Sequence, residues 1–150
     1  MQEKKILIAA DHGGFAFKEN LKAYLQQKGY EVVDYGTNNT DSVNYPDYAK
    51  LLANGIKDQV ADKGILICTS GIGMSIAVNR YPFIRGALVH NVEEAHLSRA
   101  HNDANVLIFG AKFITPETAQ KCISEFLTTE FEGGRHARRV GKLSCLGGIK

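Results

Sequence analysis

Short apolar runs alternate along the chain with longer segments in which apolar residues recur at every third or fourth position. The short runs have the length of buried strands, and the longer segments have the periodicity of amphipathic helices. Regular alternation of the two predicts βα units whose parallel strands form one buried sheet. The predicted strands are residues 5–10, 31–35, 64–68, 85–90 and 105–109.

Capping and turn residues support the helix predictions. Gly29 follows the first helical segment as a C-terminal glycine does, and Thr115 with Pro116 opens a later helix. Asn91 and Glu94 have the spacing of a capping box. The predicted helices are 17–28, 47–60, 73–80, 91–101, one from 115 onward and one in the C-terminal tail. These elements predict a single-domain three-layer α/β/α (Rossmann-like) fold over residues 1–150, with a five-stranded parallel sheet.

Reactive side chains and glycines follow the predicted strands at their carboxyl ends. Asp11 and His12 come after the first strand, and the segment CTSGIGMS ends the third strand and opens a helix. Ligands of open α/β sheets bind at this edge. The glycine-rich turn favours an anion, but Ile76 stands where a dinucleotide fingerprint needs its third glycine, and no P-loop motif occurs. The alternative for these glycines is a tight, closely packed turn.

Cys68 stands directly before the glycine-rich turn. Backbone N–H groups beside a thiol favour the thiolate, which could act as nucleophile or base. The alternative is a buried structural cysteine, and Cys122 fits that role on the apolar stripe of its helix. His101 opens the polar cluster HNDAN, where it could act as a general acid or base or simply cap the helix.

Composition places the chain among ordinary globular proteins. It has 150 residues, 44% of them hydrophobic and 23% charged, which excludes a disordered chain and suffices for one core. The net charge is +2, yet residues 133–150 contain five basic residues and no acidic one. Arg135 and Arg139 are four apart and would share a helix face, a spacing suited to a phosphate. The alternative is a solvated basic tail that binds RNA loosely.

The three cysteines are far apart and form no CxxC pair, which argues against a disulfide framework or a zinc knuckle. No apolar stretch has the length of a membrane span, and the first apolar run is too short for a signal peptide. We therefore expect a cytoplasmic protein that does not bind membranes. His96 and His101 are five apart, about 140° around a helix, so we expect no metal site from them.

Several motifs together identify the chain as similar to a known family. The segments DHGG, C-x-[ST]-G-x-G, HND and GGRH, with a second arginine four residues after the first, occur in order between residues 9 and 140. This combination resembles the ribose-5-phosphate isomerase type B and galactose-6-phosphate isomerase family. The resemblance implies reversible conversion of a phosphorylated aldose to its ketose through a cis-enediolate, without metal or organic cofactor.

The resemblance also implies a role for individual residues. Cys68 corresponds to the base that moves a proton between C1 and C2, Ser70 to a hydroxyl that relays a proton, and His101 to the acid that opens the furanose ring. The implied anion-hole and sugar-binding residues are Thr69, Gly71, Ile72, Gly73, Asp11, Tyr45, Asn102 and Lys112. The implied phosphate-binding residues are His12, Arg135 and Arg139.

Two positions depart from patterns common in the family, and a third indicates the type of catalytic base. Met74 stands where some members have a catalytic glutamate, which assigns this chain to the cysteine type. Lys112 replaces an arginine and keeps the charge without the planar fork. Thr69 replaces a glycine after the catalytic cysteine.

The resemblance implies a homodimer or tetramer whose active sites use residues of two subunits. One chain carries Cys68, His101 and both phosphate arginines, so the enzyme needs no second, different chain. This favours ribose 5-phosphate as substrate and the pentose phosphate pathway. The alternatives are allose 6-phosphate or galactose 6-phosphate as substrate. An alternative of another class is a nucleotide-binding or RNA-binding regulatory module; under the isomerase interpretation we expect no nucleic-acid partner.

Overall fold

The computed structural model of the protein describes residues 4–146 and contains one parallel sheet with the strand order β2-β1-β3-β5-β4. A 3₁₀ turn, His12–Gly14, follows the first strand. The strands are β1 (Lys5–Ala10), β2 (Glu31–Asp34), β3 (Gly64–Cys68), β4 (Gly86–Leu88) and β5 (Val106–Gly110). The helices are α1 (Phe15–Gln27), α2 (Tyr45–Lys57), α3 (Ile72–Val78), α4 (Val92–Ala100), α5 (Pro116–Thr128) and α6 (Arg135–Leu143).

The helices cover both faces of the sheet. Apolar residues of α1, α4 and α5 form one buried cluster with alternate strand residues, and α2 and α3 form the second cluster on the other face. All five positions of β3 and of β5 are buried, which is why both strands are continuous apolar runs rather than alternating ones. The predicted three-layer α/β/α fold with a five-stranded parallel sheet is confirmed.

The edge strand β4 is shorter than the predicted 85–90. The backbone N–H of Arg85 donates to the side-chain oxygen of Asn105 at 2.8 Å. The Arg85 N–H is therefore bonded to a side chain and not to the backbone of a neighbouring strand. The strand β5 lies one residue later than predicted, at Val106–Gly110. Such shifts at element ends are common, because ends are decided by individual hydrogen bonds.

The predicted caps are observed, with one difference. Asn91 accepts a hydrogen bond from the N–H of Glu94 at 2.8 Å, but the Glu94 carboxylate accepts from His90 rather than from Asn91. Thr115 accepts from the N–H of Thr118 at 3.1 Å and so caps α5. The helix α2 begins at Tyr45, two residues before its predicted start, because Pro46 lies inside its first turn.

The C-terminal basic segment forms the predicted helix, α6. Among residues 135–143, His136 alone is buried, so this helix lies largely outside the two helical layers. The end of the predicted basic segment, residues 147–150, lies outside the described residues. None of the helices formed by residues 4–146 has the length and apolar character needed to cross a membrane.

Candidate active site

The carboxyl ends of β1 and β3 bring Asp11 and Cys68 to neighbouring positions. The N–H of Asp11 donates to the carbonyl oxygen of Ile67 at 3.3 Å, which ties the turn after β1 to the end of β3. The buried Asp11 carboxylate accepts from the N–H of Gly13 at 3.0 Å and so opens the 3₁₀ turn. Its position is therefore fixed beside the Cys68 segment.

Cys68 lies inside a turn that directs one backbone donor at its sulfur. The N–H of Gly71 donates to the Cys68 Sγ at 3.2 Å, an interaction that is stronger for a thiolate than for a neutral thiol. Gly71 has a left-handed conformation with a φ of 79°. Ser70 Oγ accepts from the N–H of Ile72 at 3.1 Å, which holds the hydroxyl over the same turn. We call residues 68–73 the Cys68 turn.

Glycines allow the neighbouring segments to approach the Cys68 turn. A Cβ at Gly71 would lie 2.5 Å from Leu88 and 2.9 Å from the Gly110 nitrogen, and one at Gly13 would lie 2.0 Å from the Thr69 hydroxyl oxygen. A Cβ at Gly73 would meet the Tyr45 ring at 2.7 Å. Close packing, rather than loop flexibility alone, accounts for glycine at these positions.

Backbone contacts bring His12 and Lys112 to the same edge. The N–H of Val43 donates to His12 Nδ1 at 3.1 Å, so the neutral imidazole carries its proton on Nε2, which is left as a donor. The N–H of Lys112 donates to the Thr69 carbonyl at 2.9 Å. With Asp11, Tyr45 and the Cys68 turn, these residues form what we call the carboxyl-edge cluster.

A second group of predicted site residues lies around His101. This residue caps the C-terminus of α4, and its ring stacks on the His136 ring with centroids 4.2 Å apart and planes 13° from parallel. The N–H of Glu132 donates to the Ala100 carbonyl at 3.0 Å, which docks the loop before α6 onto the end of α4. The amino-edge cluster comprises His101, Asn102, Glu132, Arg135, His136 and Arg139.

The two clusters lie at opposite edges of the sheet within one chain. The helix α4 connects the parallel strands β4 and β5, so it runs antiparallel to them and carries the chain back to their amino ends. Its nine residues span about 14 Å at the α-helical rise. The structure therefore brings Asp11, His12 and Cys68 together, but it separates them from His101 and Arg135.

From the sequence, no role was predicted for Glu132 or for His136. Glu132 Oε1 lies 3.8 Å from His101 Nε2 and 3.5 Å from His136 Nε2. Among residues 4–146, His136 Nε2 has no hydrogen-bond partner although it is buried. Burial, the neighbouring His101 and Arg135 lower the pKa of His136 below its usual value. The one signal in the sequence was the position of His136 in the GGRH motif, between Arg135 and Arg139.

His101, Glu132 and His136 also form a group of possible metal ligands, with donor atoms within 4.8 Å of one another. A ring nitrogen binds a metal in the plane of its ring. Because the two rings are stacked nearly parallel, one ion cannot lie in both ring planes. The stacked rings therefore do not suit coordination of one cation.

The remaining cysteines lie away from both clusters. Burial raises the pKa of Cys122 to about 11, so this thiol stays protonated in the core under α5. Cys145 is exposed beyond α6. A cavity of about 790 Å³ at the amino ends of the strands contains Arg85 and Arg99, but Asp103 already pairs with both guanidinium groups.

Comparison with known proteins places the chain among relatives of one family. The family model for ribose/galactose isomerases matches residues 6–143. The chain is 40% identical over 143 residues to ribose-5-phosphate isomerase B of Escherichia coli, covering 95% of this chain and 96% of that protein.

Solved structures agree in fold over nearly the whole chain. A ribose 5-phosphate isomerase from Thermotoga maritima has a TM-score of 0.92 and 49% identity, covering 93% of this chain and 97% of that one. Ribose-5-phosphate isomerase B from Mycoplasma genitalium, solved with bound ribulose 5-phosphate, has a TM-score of 0.88 and 40% identity, with 93% of each chain covered. The protein described here therefore belongs to the ribose/galactose isomerase family.

Proposed function

We propose that the protein interconverts ribose 5-phosphate and ribulose 5-phosphate, with Cys68 moving a proton between C1 and C2. The observation that carries this proposal is the Cys68 turn, in which a buried sulfur accepts the Gly71 N–H beside the Ser70 hydroxyl and Asp11. The relative from Mycoplasma genitalium was solved with ribulose 5-phosphate, which supports the pentose over the hexose phosphates.

The first step of the proposed reaction opens the sugar ring. His101 donates a proton to O4 while the C1–O4 bond breaks, and the bonding electrons pass to O4. The proton on O1 leaves to water, so that C1 becomes an aldehyde. His101 suits this step because it is partly exposed at the end of α4 and can exchange its proton with solvent.

The second step moves a hydrogen between the two carbons. The Cys68 thiolate takes the proton from C2, the electrons form a C1–C2 double bond, and negative charge moves to O1. Backbone N–H groups of the Cys68 turn stabilise this oxygen. Ser70 relays the O2 proton to O1, and the Cys68 thiol returns its proton to C1, which leaves ribulose 5-phosphate.

The phosphate end of the substrate meets donors from both clusters in this proposal. The Nε2 proton of His12 is directed away from Val43 and is free to donate to the phosphate. Arg135 and Arg139 lie one helical turn apart on α6 and are exposed. Paired guanidinium groups bind a phosphate dianion through several charge-assisted hydrogen bonds.

A complete site of this kind requires two copies of the chain. Cys68 and His101 lie at opposite edges of one sheet, so a second copy must supply the amino-edge cluster. Large apolar side chains are exposed close to the Cys68 turn: Ile72 is 55% exposed, Ile76 60% and Phe113 57%. Such a patch is typical of a subunit interface, which supports a homodimer as the smallest active form.

Turnover of ribose 5-phosphate by the purified protein, in excess chelator, tests the proposal. We expect ribulose 5-phosphate to form, and Cys68→Ala to lower kcat by about a thousandfold because the base is lost. Cys145→Ala is the matched control, since it removes an exposed thiol remote from the Cys68 turn.

Allose 6-phosphate is the comparison substrate for the hexose alternative. Faster turnover of allose 6-phosphate than of ribose 5-phosphate would reassign the substrate. Full activity of Cys68→Ala would reject the cysteine mechanism. If folded protein turns over neither sugar but binds RNA with a steep salt dependence, the binding-module alternative replaces the enzyme.

A further inference from the structure

His136 is buried without an evident structural reason. It is the only buried residue of α6 (residues 135–143), and the other residues of this helix are exposed or half-buried. Its Nε2 is shielded from solvent and unpartnered among residues 4–146. A buried polar atom without a hydrogen bond is unfavourable, so another contact must account for its position.

Besides the Glu132 carboxylate, 3.5 Å from its Nε2, His136 contacts the face of His101. The two imidazoles are stacked at a centroid separation of 4.2 Å. Glu132 lies at the edge of both rings and is itself held by the hydrogen bond from its N–H to Ala100. The stack therefore defines the plane in which His101 can present its Nε2.

We infer that His136 is a positioning residue, which fixes the ring plane of His101 by stacking against it. This inference rests on the proposed function, in which His101 opens the sugar ring. His136 does not touch the substrate itself but orients His101, which does.

Charge distribution around the pair supports this assignment. The groups facing His136 are His101 from α4, Glu132 from the preceding loop, and Arg135 and Arg139 from α6 itself. Two stacked imidazolium rings would repel each other, so the stack favours a neutral His136. Burial, the neighbouring His101 and the cations of α6 all lower the pKa of His136, which suits it to orient His101 rather than to carry a proton itself.

The stack contributes to ring opening and not to the later proton transfer. In ring opening His101 must meet O4 along its donor direction, and a ring free to rotate would do so less often. Transfer between C1 and C2 uses Cys68 and Ser70 instead. A defect in the stack should therefore slow reactions that begin from the furanose and spare those that begin from an open chain.

Two variants of similar volume distinguish the effect of a flat ring at position 136 from the effect of filling the same space. His136→Phe keeps a flat, uncharged ring against His101, whereas His136→Leu fills the site without one. We expect His136→Leu to lower kcat for ribose 5-phosphate about tenfold, and His136→Phe to stay within about twofold of the unmodified protein. His96→Ala is the matched control. His96 of α4 also forms an imidazole–carboxylate pair, with Glu125 of α5 at 2.7 Å, but it is not part of the stack.

The second readout is solvent deuterium exchange at C1 of ribulose 5-phosphate, followed by NMR. This ketose has an open chain, since its C5 hydroxyl carries the phosphate, and its exchange needs Cys68 but no ring opening. We expect exchange in His136→Leu within about twofold of the unmodified protein while its ribose 5-phosphate turnover falls. Thermal unfolding and gel filtration check that each variant folds and assembles.

Two outcomes would overturn the inference: equal turnover by His136→Leu and His136→Phe, or a parallel loss of exchange and turnover in His136→Leu. Failure of the proposed function itself looks different. In that case the unmodified protein would neither turn over ribose 5-phosphate nor catalyse exchange.

Discussion

At the scale of single residues, Gly71 carries the geometry of the Cys68 turn. Its φ of 79° lies in the left-handed region, which side chains disfavour, and its N–H is the donor to the Cys68 Sγ. The space around it is also closed, with Leu88 and Gly110 where a Cβ would stand. The residue therefore has both a conformational and a steric reason to be glycine.

Gly71→Ala should destabilise the fold and abolish most activity. We expect a loss of about 3 kcal/mol in the free energy of unfolding, measured in urea, because strain and overlap add. Gly29→Ala is the matched control: Gly29 has a φ of 93° but nothing within 4 Å of its Cβ position, so we expect about 1 kcal/mol. Equal losses in the two variants would show that packing around Gly71 is unimportant.

At the scale of elements, a buried ionic group joins α1 to the edge strand β2. Lys18 has a fully buried side chain, and its Nζ lies 2.7 Å from Asp34 Oδ2, while Lys22 reaches the same oxygen at 3.0 Å. Asp34 also accepts from the N–H of Gly36 at 2.8 Å. Burial alone would raise the pKa of Asp34, but the bonds from Lys18, Gly36 and Lys22 outweigh it and lower the pKa.

This lowered pKa predicts how stability depends on pH. An acid with a lowered folded pKa stabilises the fold fully above its unfolded pKa, and that contribution is lost as pH falls through the folded value. We expect Asp34→Asn to lower the free energy of unfolding by about 2 kcal/mol at pH 7, and the difference to shrink below about pH 4.

Urea unfolding of both proteins between pH 3 and pH 7 measures this difference. Asp62→Asn is the control, because the Asp62 side chain is 90% exposed and its pairing with Lys63 is loose, at 3.9 Å. A difference between Asp34→Asn and the unmodified protein that stays constant with pH would contradict the assignment.

The helix α4 depends on its N-cap, Asn91, for its start, and its C-cap is His101. Asn91→Ala removes the cap to Glu94, and we expect a loss of about 1 kcal/mol in urea unfolding. Asn44→Ala is the matched control, since Asn44 precedes α2 without a side-chain capping bond and should cost much less. A loss of equal size in both variants would mean that the Asn91 bond does not stabilise α4.

At the scale of the whole molecule, the separation of the two clusters predicts that inactive variants complement each other. In a mixed dimer of Cys68→Ala and His101→Asn chains, one site combines the intact Cys68 of one chain with the intact His101 of the other. Random assembly makes half the dimers mixed, with one of two sites intact, so we expect about one quarter of full activity.

Co-expression of the two variants followed by assay of the purified dimer measures this complementation. Each variant expressed alone is the control. Activity no higher than the sum of the separate variants would mean that the sites do not combine the edges of two subunits.

The sequence by itself determined the sheet, its helices and the location of Cys68. Continuous apolar runs predict buried parallel strands, and Asn91, Thr115 and Gly29 act on neighbours within a few residues, so their effects are local. Asp11 and Cys68 were predicted at one edge because parallel strands end together. The predicted ends of β4 and α2 were wrong by a few residues. A hydrogen bond from the Arg85 N–H determines where β4 begins, and Pro46 in the first turn determines where α2 begins.

Only the tertiary structure decided which of these residues can meet. The direction of α4 places His101 and Cys68 at opposite edges of the sheet. No local sequence pattern predicts that direction. The stack of His136 on His101, with Glu132 beside both, depends on how the loop before α6 docks on α4. Contacts between segments far apart along the chain arise from packing, whereas caps, turns and strand burial arise from neighbouring residues.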